Sequence, residues 1–331
     1  MAQAEATTDK PIIAALRPLP RLLRLALDDR FSLSLPPREG TPTLEETKAR
    51  IAGAQALVAT AFDNLDAETV SIFPPSLKLI ASFGVGVDHI DMKAVAARGI
   101  IVTNTPDVTT PCLADMTMGL IIAACRRFRE GLDIAKTGEG RGLLTPDSWG
   151  LRVSGKPLGI VGMGSMGQAV AQRARAFDMP ILYTTPRPRP EFDEKYGAKA
   201  VDLDTLLREA DIVSLHCPLK PETHHLIDAA ALEKMKDTAV LINMARGPVV
   251  DELAMIDALK TGKIFAAGLD VFETEPGPIR EELRVLPNVY CLPHIGSATR
   301  ESRAAMGGRV LENINHFFDK GEPLDPVAPP Q

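Results

Sequence analysis

The chain has few cysteines and aromatic residues, no long apolar run and no excess of basic residues. Its four cysteines lie far apart, and the adjacent His224 and His225 would point to opposite faces of a strand, so we predict reduced thiols and no metal site. The net charge of −6 disfavours binding to nucleic-acid phosphates. No apolar run reaches the roughly 18 residues of a membrane span, and the first ten residues lack the apolar core of a secretory signal. We therefore expect a cytoplasmic protein with no nucleic-acid or membrane partner.

The apolar residues form short runs of two kinds that alternate along almost the whole chain. Runs typical of β-strands are followed by runs with helical spacing, which indicates parallel sheets flanked by helices. At 331 residues the chain is long enough for two domains. We predict an α/β fold of two domains with a cleft between them. Residues 1–106, completed by 296–331, form the first domain, and residues 107–295 form the second.

The pattern predicts strands in two series that are separated by a long helical segment. The first series is at 11–16, 31–35, 56–60, 77–82 and 100–103, and the second is at 158–161, 181–184, 212–215, 240–244, 267–269 and 289–292. Helices are predicted at 43–52, 66–73, 91–98 and 300–318. The long segment begins at Thr110 and is apolar all round in its first half, which is typical of a buried connecting helix.

A glycine pattern follows the first strand of the second domain. Gly162, Gly164 and Gly167 form a G-x-G-x-x-G between an apolar strand and an amphipathic helix. In a dinucleotide-binding turn such glycines allow a tight bend, close approach of a pyrophosphate and contact between helix and strand. The helix N-terminus then offers N–H groups to the anion. We interpret the turn as a dinucleotide site, with glycines placed only for tight packing as the alternative.

The end of the next strand indicates which dinucleotide is bound. An acid about 20 residues after the glycines would bind the ribose 2′-hydroxyl of NAD, but residues 184–190 read TTPRPRP and contain none. Thr184 and Thr185 offer hydroxyls, and Arg187 and Arg189 offer guanidinium groups for a 2′-phosphate. The sequence therefore predicts NADP in preference to NAD. The alternative is that this turn is an ordinary solvated loop.

Ionisable residues follow three later strands, where burial would otherwise disfavour them. Arg246 follows one strand, Asp270 and Glu275 follow another, and His294 follows a third. The carboxyl ends of parallel strands lie along one edge of the sheet, where ligands bind, so Arg246, Glu275 and His294 can converge. Together they predict a catalytic site, with a structural ion-pair network as the alternative.

Six motifs run in order along nearly the whole chain. They are SFGVGVDHID (82–91), GIVGMGSMG (159–167), ADIVSLHCPLKPETHHLI (210–227), INMARGPVVDE (242–252), GLDVFETEP (268–276) and LPHIGSAT (292–299). The chain thereby resembles the D-isomer-specific 2-hydroxyacid dehydrogenases, and most of all the glyoxylate and hydroxypyruvate reductases among them. The resemblance implies two Rossmann-like domains, a flavodoxin-like catalytic domain and a Rossmann domain that binds NAD(P). It also implies reduction of small 2-oxo acids to D-2-hydroxy acids by hydride transfer.

The resemblance further implies the catalytic roles. Arg246 would bind the substrate carboxylate and carbonyl oxygen, and the backbone N–H groups of Val85 and Gly86 would hold the other carboxylate oxygen. His294 would give a proton to the carbonyl oxygen, with Glu275 hydrogen-bonded to the other ring nitrogen. Because that carboxylate favours a protonated imidazole, reduction is expected to be favoured at neutral or mildly acidic pH.

Cofactor contacts are implied for residues beyond the glycines. Asp270 resembles the family residue that holds the nicotinamide carboxamide, with capping of local backbone as its alternative role. Cys217 is either a neighbour of the cofactor or a buried small residue. The other implied contacts are Met163, Ser165, Met166, His216, Pro218, Thr223, Met244, Ala245, His294 and Gly296.

The resemblance leaves alternatives for the substrate and for the activity itself. Relatives carry a tryptophan in the loop before the glycine turn, where it closes the substrate pocket from the partner subunit, but the single Trp149 stands close to the following strand. A dehydrogenase for another D-2-hydroxy acid is therefore one alternative. A dinucleotide-sensing scaffold, as in the corepressors that share this fold, is the other. The family is usually dimeric, so we expect a homodimer with residues 107–155 at the contact.

Overall fold

The chain is arranged as two compact units. The computed structural model describes residues 10–37, 40–138, 149–188 and 190–328. Unit 1 comprises the chain up to residue 109 and from residue 299 onward, and unit 2 comprises residues 110–298. The first boundary follows residue 109, three residues after the predicted boundary at 106. The second follows residue 298, three residues after the predicted boundary at 295.

Strands and helices alternate along the described residues. The strands are β1 (Ile12–Ala15), β2 (Ser32–Ser34), β3 (Ala56–Ala59), β4 (Leu79–Ser82), β5 (Ile101–Thr103), β6 (Leu158–Val161), β7 (Ile181–Thr184), β8 (Ala198–Ala200), β9 (Ile212–Leu215), β10 (Val240–Asn243), β11 (Ala266–Leu269) and β12 (Val289–Cys291). The helices are α1 (Arg21–Asp28), α2 (Leu44–Arg50), α3 (Ala67–Ser71), α4 (Met92–Ala97), α5 (Thr110–Cys125), α6 (Phe128–Lys136), α7 (Ser165–Ala174), α8 (Pro190–Tyr196), α9 (Leu203–Glu209), α10 (Ala229–Lys234), α11 (Glu252–Lys260), α12 (Glu281–Val285) and α13 (Arg300–Lys320). Each predicted strand is therefore confirmed within a few residues.

Unit 1 is built on a five-stranded parallel sheet. The strand order is β2-β1-β3-β4-β5, which is the order of flavodoxin-like folds. Strands β3 and β4 are buried on both faces, and this explains why their sequences are uninterrupted apolar runs. The C-terminal helix α13 packs against α1 and β4, so the end of the chain belongs to the same unit as its beginning.

Unit 2 is built on a seven-stranded parallel sheet of the Rossmann type. Its strand order is β12-β11-β10-β9-β6-β7-β8, so the order reverses between β6 and β9. Helices α5 and α7 cover one face of the sheet, and α9, α10 and α11 cover the other. All parallel strands point the same way, so the segments after β6, β7, β9, β10, β11 and β12 emerge along one edge.

The helical segment that begins at Thr110 is not one helix, contrary to the prediction. It breaks after α5 at Arg127, whose backbone has a left-handed φ of 53°. The N–H of Leu151 donates to the carbonyl of Cys125 at 2.6 Å, and a Cβ on Gly150 would lie 2.5 Å from the same carbonyl oxygen. A distant segment thus takes the carbonyl that would have continued the helix.

Helix α1 and strand β8 correspond to no predicted element, and helices α8 to α12 have no predicted bounds. Helix α1 buries Leu23 and Leu27 but exposes Leu22 and Leu25, so only part of its apolar face is covered. Strand β8 is a three-residue edge strand with Lys199 at its centre. No helix among the described residues is both long and apolar enough to cross a membrane.

Candidate active site

The three glycines of the turn after β6 have different structural roles. Gly162 has a φ of +97°, and a Cβ there would lie 2.8 Å from the backbone nitrogen of Cys217. A Cβ on Gly167 would collide with the carbonyl of Gly162, so α7 contacts the strand at that point. Around Gly164, which precedes the first turn of α7, no described atom beyond the adjoining backbone lies within 4 Å of where a Cβ would be. The turn therefore fits a pyrophosphate that approaches Gly164 and the N-terminus of α7.

The loop after β9 lies against this turn. The N–H of His216 donates to the carbonyl of Val161 at 2.8 Å, and its Nε2 lies 2.9 Å from the Ser214 hydroxyl. Its Nδ1 is buried and has no hydrogen-bond partner among the described residues. Burial lowers the pKa of His216 to about 4 and raises the pKa of the neighbouring Cys217 thiol to about 11. Both groups are therefore uncharged at neutral pH.

We expect His216 to make the folded protein less stable in acid. Its pKa is 6.5 when unperturbed and about 4 in the fold, so between those values the unfolded chain binds a proton that the folded chain does not. Acidification across this range should cost about 3 kcal/mol of unfolding free energy from this group alone. Urea unfolding at several pH values measures the loss, and His216→Gln should remove that component. An equally steep decline in the variant would contradict the assignment.

The predicted 2′-phosphate turn flanks the glycine turn. Strand β7 pairs with β6 so that Thr184 stands opposite Val161, and the N–H of Gly162 donates to the Thr184 carbonyl at 2.9 Å. Thr185 is half-buried and Arg187 is exposed. Arg189 lies outside the described residues. Hydroxyls and at least one guanidinium are thus available where a Rossmann fold binds the ribose of a dinucleotide.

Arg246 is held by the end of β10. The side chain of Asn243, which is fully buried, accepts from the N–H of Ala245 at 3.0 Å and donates to the carbonyl of Arg246 at 2.9 Å. Gly247 follows, and a Cβ there would overlap the backbone of Phe272. Asn243 gives no functional signal in the sequence, because an asparagine at the end of a strand is an ordinary turn residue. Its two hydrogen bonds set the course of the backbone at Arg246.

Glu275 and His294, which follow β11 and β12, form the hydrogen-bonded pair that the family resemblance implies. The Nδ1 of His294 lies 2.8 Å from Oε2 of Glu275, and about a quarter of each side chain is exposed. The other oxygen, Oε1, accepts from the N–H of Phe272 at 2.9 Å. His294 has a left-handed φ of 53°. The pair can hold a proton at the sheet edge that also carries the glycine turn.

Asp270 binds the backbone that carries His294. It is buried, and its two carboxylate oxygens accept from the N–H groups of Ile295 and Gly296, each at 2.8 Å. A Cβ on Gly296 would lie 2.8 Å from Asp270 Oδ2 and 2.9 Å from the Met244 methyl. Burial raises the pKa of the Asp270 carboxyl, and the two N–H donors oppose that rise. The backbone-capping role that the sequence left as an alternative is therefore present, and the contact with a cofactor stays a prediction.

Val85 and Gly86 follow β4 in unit 1. The carbonyl of Val85 accepts from the Asn104 side chain at 2.8 Å, and the carbonyl of Gly84 accepts from the N–H of Thr105 at 3.0 Å. The N–H groups of Val85 and Gly86 have no acceptor in the part of unit 1 that the structure describes. Two adjacent N–H groups in a turn fit a carboxylate oxygen.

The remaining predicted residues differ in exposure. His224 and His225 do not lie on opposite faces of a strand as predicted, because they follow a turn and their rings stack at 4.0 Å. Within the described ranges no group of three ligating side chains could hold a metal. The hydroxyl of Thr223 donates to the carbonyl of Pro218 at 2.7 Å and closes the loop after β9. Of the other predicted contacts, Met163, Met244 and Ala245 are buried, Met166 is half-buried, and Ser165 is exposed.

A Rossmann sheet that carries a glycine turn and a histidine–carboxylate pair on one edge is typical of dinucleotide-dependent oxidoreductases. Residues 118–296 match the model of the D-isomer specific 2-hydroxyacid dehydrogenase, NAD binding domain. The chain is 44% identical over 306 residues to glyoxylate/hydroxypyruvate reductase B of Escherichia fergusonii, an alignment that covers 92% of this chain and 94% of the relative.

Solved structures with the same fold cover nearly the whole chain. A protein of Thermus thermophilus is 40% identical with a TM-score of 0.88, over 96% of this chain and 100% of that one. An NADPH-dependent glyoxylate/hydroxypyruvate reductase of Sinorhizobium meliloti, in complex with NADP and malonate, is 34% identical with a TM-score of 0.86, over 96% and 97%. The chain belongs to the D-isomer-specific 2-hydroxyacid dehydrogenase family. It is an oxidoreductase that acts on CH–OH donors and binds a nicotinamide dinucleotide.

Proposed function

We propose that the protein reduces small 2-oxo acids, such as glyoxylate and hydroxypyruvate, to D-2-hydroxy acids and prefers NADPH. The observation that carries the proposal is the Glu275–His294 pair, whose Oε2 and Nδ1 atoms lie 2.8 Å apart. The pair lies on the sheet edge at which Arg246 follows β10. Relatives at 42% to 44% identity bear the name glyoxylate/hydroxypyruvate reductase B. When bound, the reduced nicotinamide supplies hydride, and the groups of the chain bind the acid and supply the proton.

The side chains divide the chemistry of reduction. Arg246 binds the carboxylate and the carbonyl oxygen of the 2-oxo acid, and it stabilises the negative charge that develops on that oxygen. The backbone N–H groups of Val85 and Gly86 hold the other carboxylate oxygen. His294 donates the proton from Nε2, because Nδ1 faces Glu275. The Glu275 carboxylate orients the imidazole and stabilises the positive charge of its protonated form.

We assign the cofactor to the edge between β6 and β9. The glycine turn and the N-terminus of α7 hold the pyrophosphate, and the segments after β9, β10 and β12 line the rest of the site. Asp270 contributes by fixing Ile295 and Gly296 as well as by facing the nicotinamide. The full set of proposed contacts is Gly162, Met163, Gly164, Ser165, Met166, Gly167, Thr184, Thr185, Arg187, His216, Cys217, Pro218, Thr223, Met244, Ala245, Asp270, His294 and Gly296.

A substrate panel tests the activity. Steady-state rates with glyoxylate, hydroxypyruvate and longer 2-oxo acids, each with NADPH and with NADH, should give the highest kcat/KM for a small 2-oxo acid with NADPH. The highest value for a longer acid would instead favour a dehydrogenase for another D-2-hydroxy acid. Negligible turnover of every acid together with tight dinucleotide binding would favour the scaffold.

Arg187 should set the preference for NADPH. We expect Arg187→Ala to raise the KM for NADPH by about tenfold or more, because a charge-assisted hydrogen bond to the 2′-phosphate contributes about 1.5–3 kcal/mol. The KM for NADH should change by less than about twofold. Arg208→Ala removes another exposed arginine, on α9, and serves as the matched control. Equal effects on both cofactors would reject this role for Arg187.

A second copy of the chain is the proposed partner. Helix α6 exposes Phe128 and Leu132, and they line a groove in unit 2 together with Met116, Leu120 and Tyr290. An apolar groove of this kind is typical of an interface between subunits. Sedimentation should show a homodimer, and Leu132→Asp should shift it toward the monomer. A wild-type monomer would exclude the homodimer.

A further inference from the structure

Glu252 is a buried carboxylate that the proposed mechanism does not use. It is the first residue of α11 and is 2% exposed. Asp251 already caps this helix, because its side chain accepts from the N–H of Ala254 at 3.0 Å. Glu252 is therefore not needed as the cap. An acidic residue in the first turn of a helix also stabilises the helix while it is exposed to water, so the burial of Glu252 needs another explanation. Burial raises the pKa of its carboxyl, which shows that the position disfavours the charge.

The carboxylate of Glu252 binds the loop after β11 on two sides. Its Oε1 accepts from the backbone N–H of Glu273 at 2.6 Å, and its Oε2 accepts from Nε of Arg280 at 2.9 Å. Arg280 also donates from Nη2 to Glu273 Oε2 at 3.3 Å. The other oxygen of Glu273 lies 2.7 Å from Nε2 of His225. Both the backbone and the side chain of Glu273 are therefore held in place.

This clamp lies next to the backbone that holds Glu275. The N–H of Phe272 donates to Glu275 Oε1 at 2.9 Å, and the N–H of the following residue, Glu273, is the one that Glu252 binds. Gly247 packs against the same peptide unit, because a Cβ there would overlap the backbone of Phe272 and Glu273. A shift of this backbone would carry the Phe272 N–H, and with it Glu275, away from the His294 ring.

We propose that Glu252 is a positioning residue for the acid–base pair. By holding the Glu273 N–H, with Arg280 as its counter-ion, it keeps Glu275 within hydrogen-bond distance of His294. The inference rests on the proposed function for its catalytic consequence, but the position of Glu275 against His294 can be measured without turnover. Two carboxylates of unit 2 act on the His294 ring, Glu275 through a hydrogen bond and Asp270 through its charge, and the Asp270 oxygens are bound by the N–H groups of Ile295 and Gly296.

The test separates the effect of side-chain length at residue 252 from the effect of its charge. Glu252→Asp keeps the charge but falls short of the Glu273 N–H by one methylene, Glu252→Gln keeps an oxygen at that N–H, and Glu252→Ala removes both. The matched control is Asp211→Ala, which removes a carboxylate that pairs with Lys236 at 2.9 Å before β9, at the opposite edge of the same sheet. The measurements are kcat, KM and the NMR titration of the His294 ring, which His294→Ala assigns among six histidines.

In Glu252→Ala and Glu252→Asp we expect the titration midpoint of His294 to fall by about 0.5–1 pH unit, because a displaced Glu275 stabilises the imidazolium less. We expect kcat to fall about tenfold in both, while the KM for the 2-oxo acid stays within about threefold because Arg246 is undisturbed. Glu252→Gln should stay within about threefold of wild type in kcat and keep the wild-type midpoint. Asp211→Ala should lower the Tm without moving the midpoint.

Two results would overturn the proposal. One is a wild-type His294 midpoint in both Glu252→Ala and Glu252→Asp, and the other is an equal fall of the midpoint in Asp211→Ala. If Glu252→Ala does not fold, Glu252→Asp and Glu252→Gln still separate the effect of side-chain length from the effect of charge. A wild-type protein that reduces no 2-oxo acid would refute the proposed function and leave the NMR comparison valid.

Discussion

Replacing His294 by alanine is expected to lower kcat for 2-oxo acid reduction by about 10²- to 10⁴-fold, the range that a positioned general acid contributes. Without the imidazole, the site loses the group proposed to donate the proton to the carbonyl oxygen of the substrate. Stopped-flow and steady-state rates with a saturating cofactor measure the loss. The Kd of NADPH should change little, because most of the cofactor contacts are assigned to the glycine turn and the turn after β7.

Glu275→Gln is the companion variant. The carboxamide retains an oxygen that can accept from the Phe272 N–H but loses the negative charge beside the ring. We expect a smaller fall in kcat, about tenfold, and a shift of the optimum for reduction toward lower pH. Wild-type kcat in His294→Ala would refute the acid role of this histidine.

Replacing Arg246 by alanine should lower kcat/KM for the 2-oxo acid by about 10³- to 10⁴-fold. The guanidinium is assigned both to substrate binding and to charge stabilisation, and losses of about 4–5.5 kcal/mol are reasonable for the two together. The fold should survive, since Asn243 holds the Ala245–Arg246 backbone through main-chain atoms. Dinucleotide affinity, measured by fluorescence quenching, should stay within about threefold.

Arg246→Lys is the informative control for this position. An ammonium keeps the charge but cannot bind a carboxylate and a carbonyl oxygen side by side, so kcat/KM should recover only in part. Full recovery would mean that charge alone matters at residue 246. If Arg246→Ala weakens the dinucleotide as strongly as the acid, the arginine belongs to the cofactor site instead.

The sequence predicts the strands well for a physical reason. Strands in a parallel sheet with helices on both faces are buried on both sides, so each reads as an unbroken apolar run such as LGIV before Gly162. The polar residues that follow such runs must lie at the carboxyl edge. That rule brings Glu275 and His294 to the same edge, where the structure shows them 2.8 Å apart.

Other features depend on contacts between distant segments and leave no local signal. The helix break at Arg127 needs the Leu151 N–H, which lies 24 residues further along the chain. Glu252 reads in the sequence as an ordinary acid at a helix start, and only the folded chain turns it toward Glu273. Asp270 had two reasonable roles in the sequence, and only its two backbone donors show that one of them is present.

The backbone at His294 has a consequence for how such a protein evolves. A histidine at a φ of 53° costs roughly 1 kcal/mol relative to a residue that adopts this region freely, such as glycine. Selection for thermal robustness alone would therefore replace it. The acid role proposed for His294 would offset this cost, and we expect a lineage that no longer needs that role to accept glycine or asparagine there.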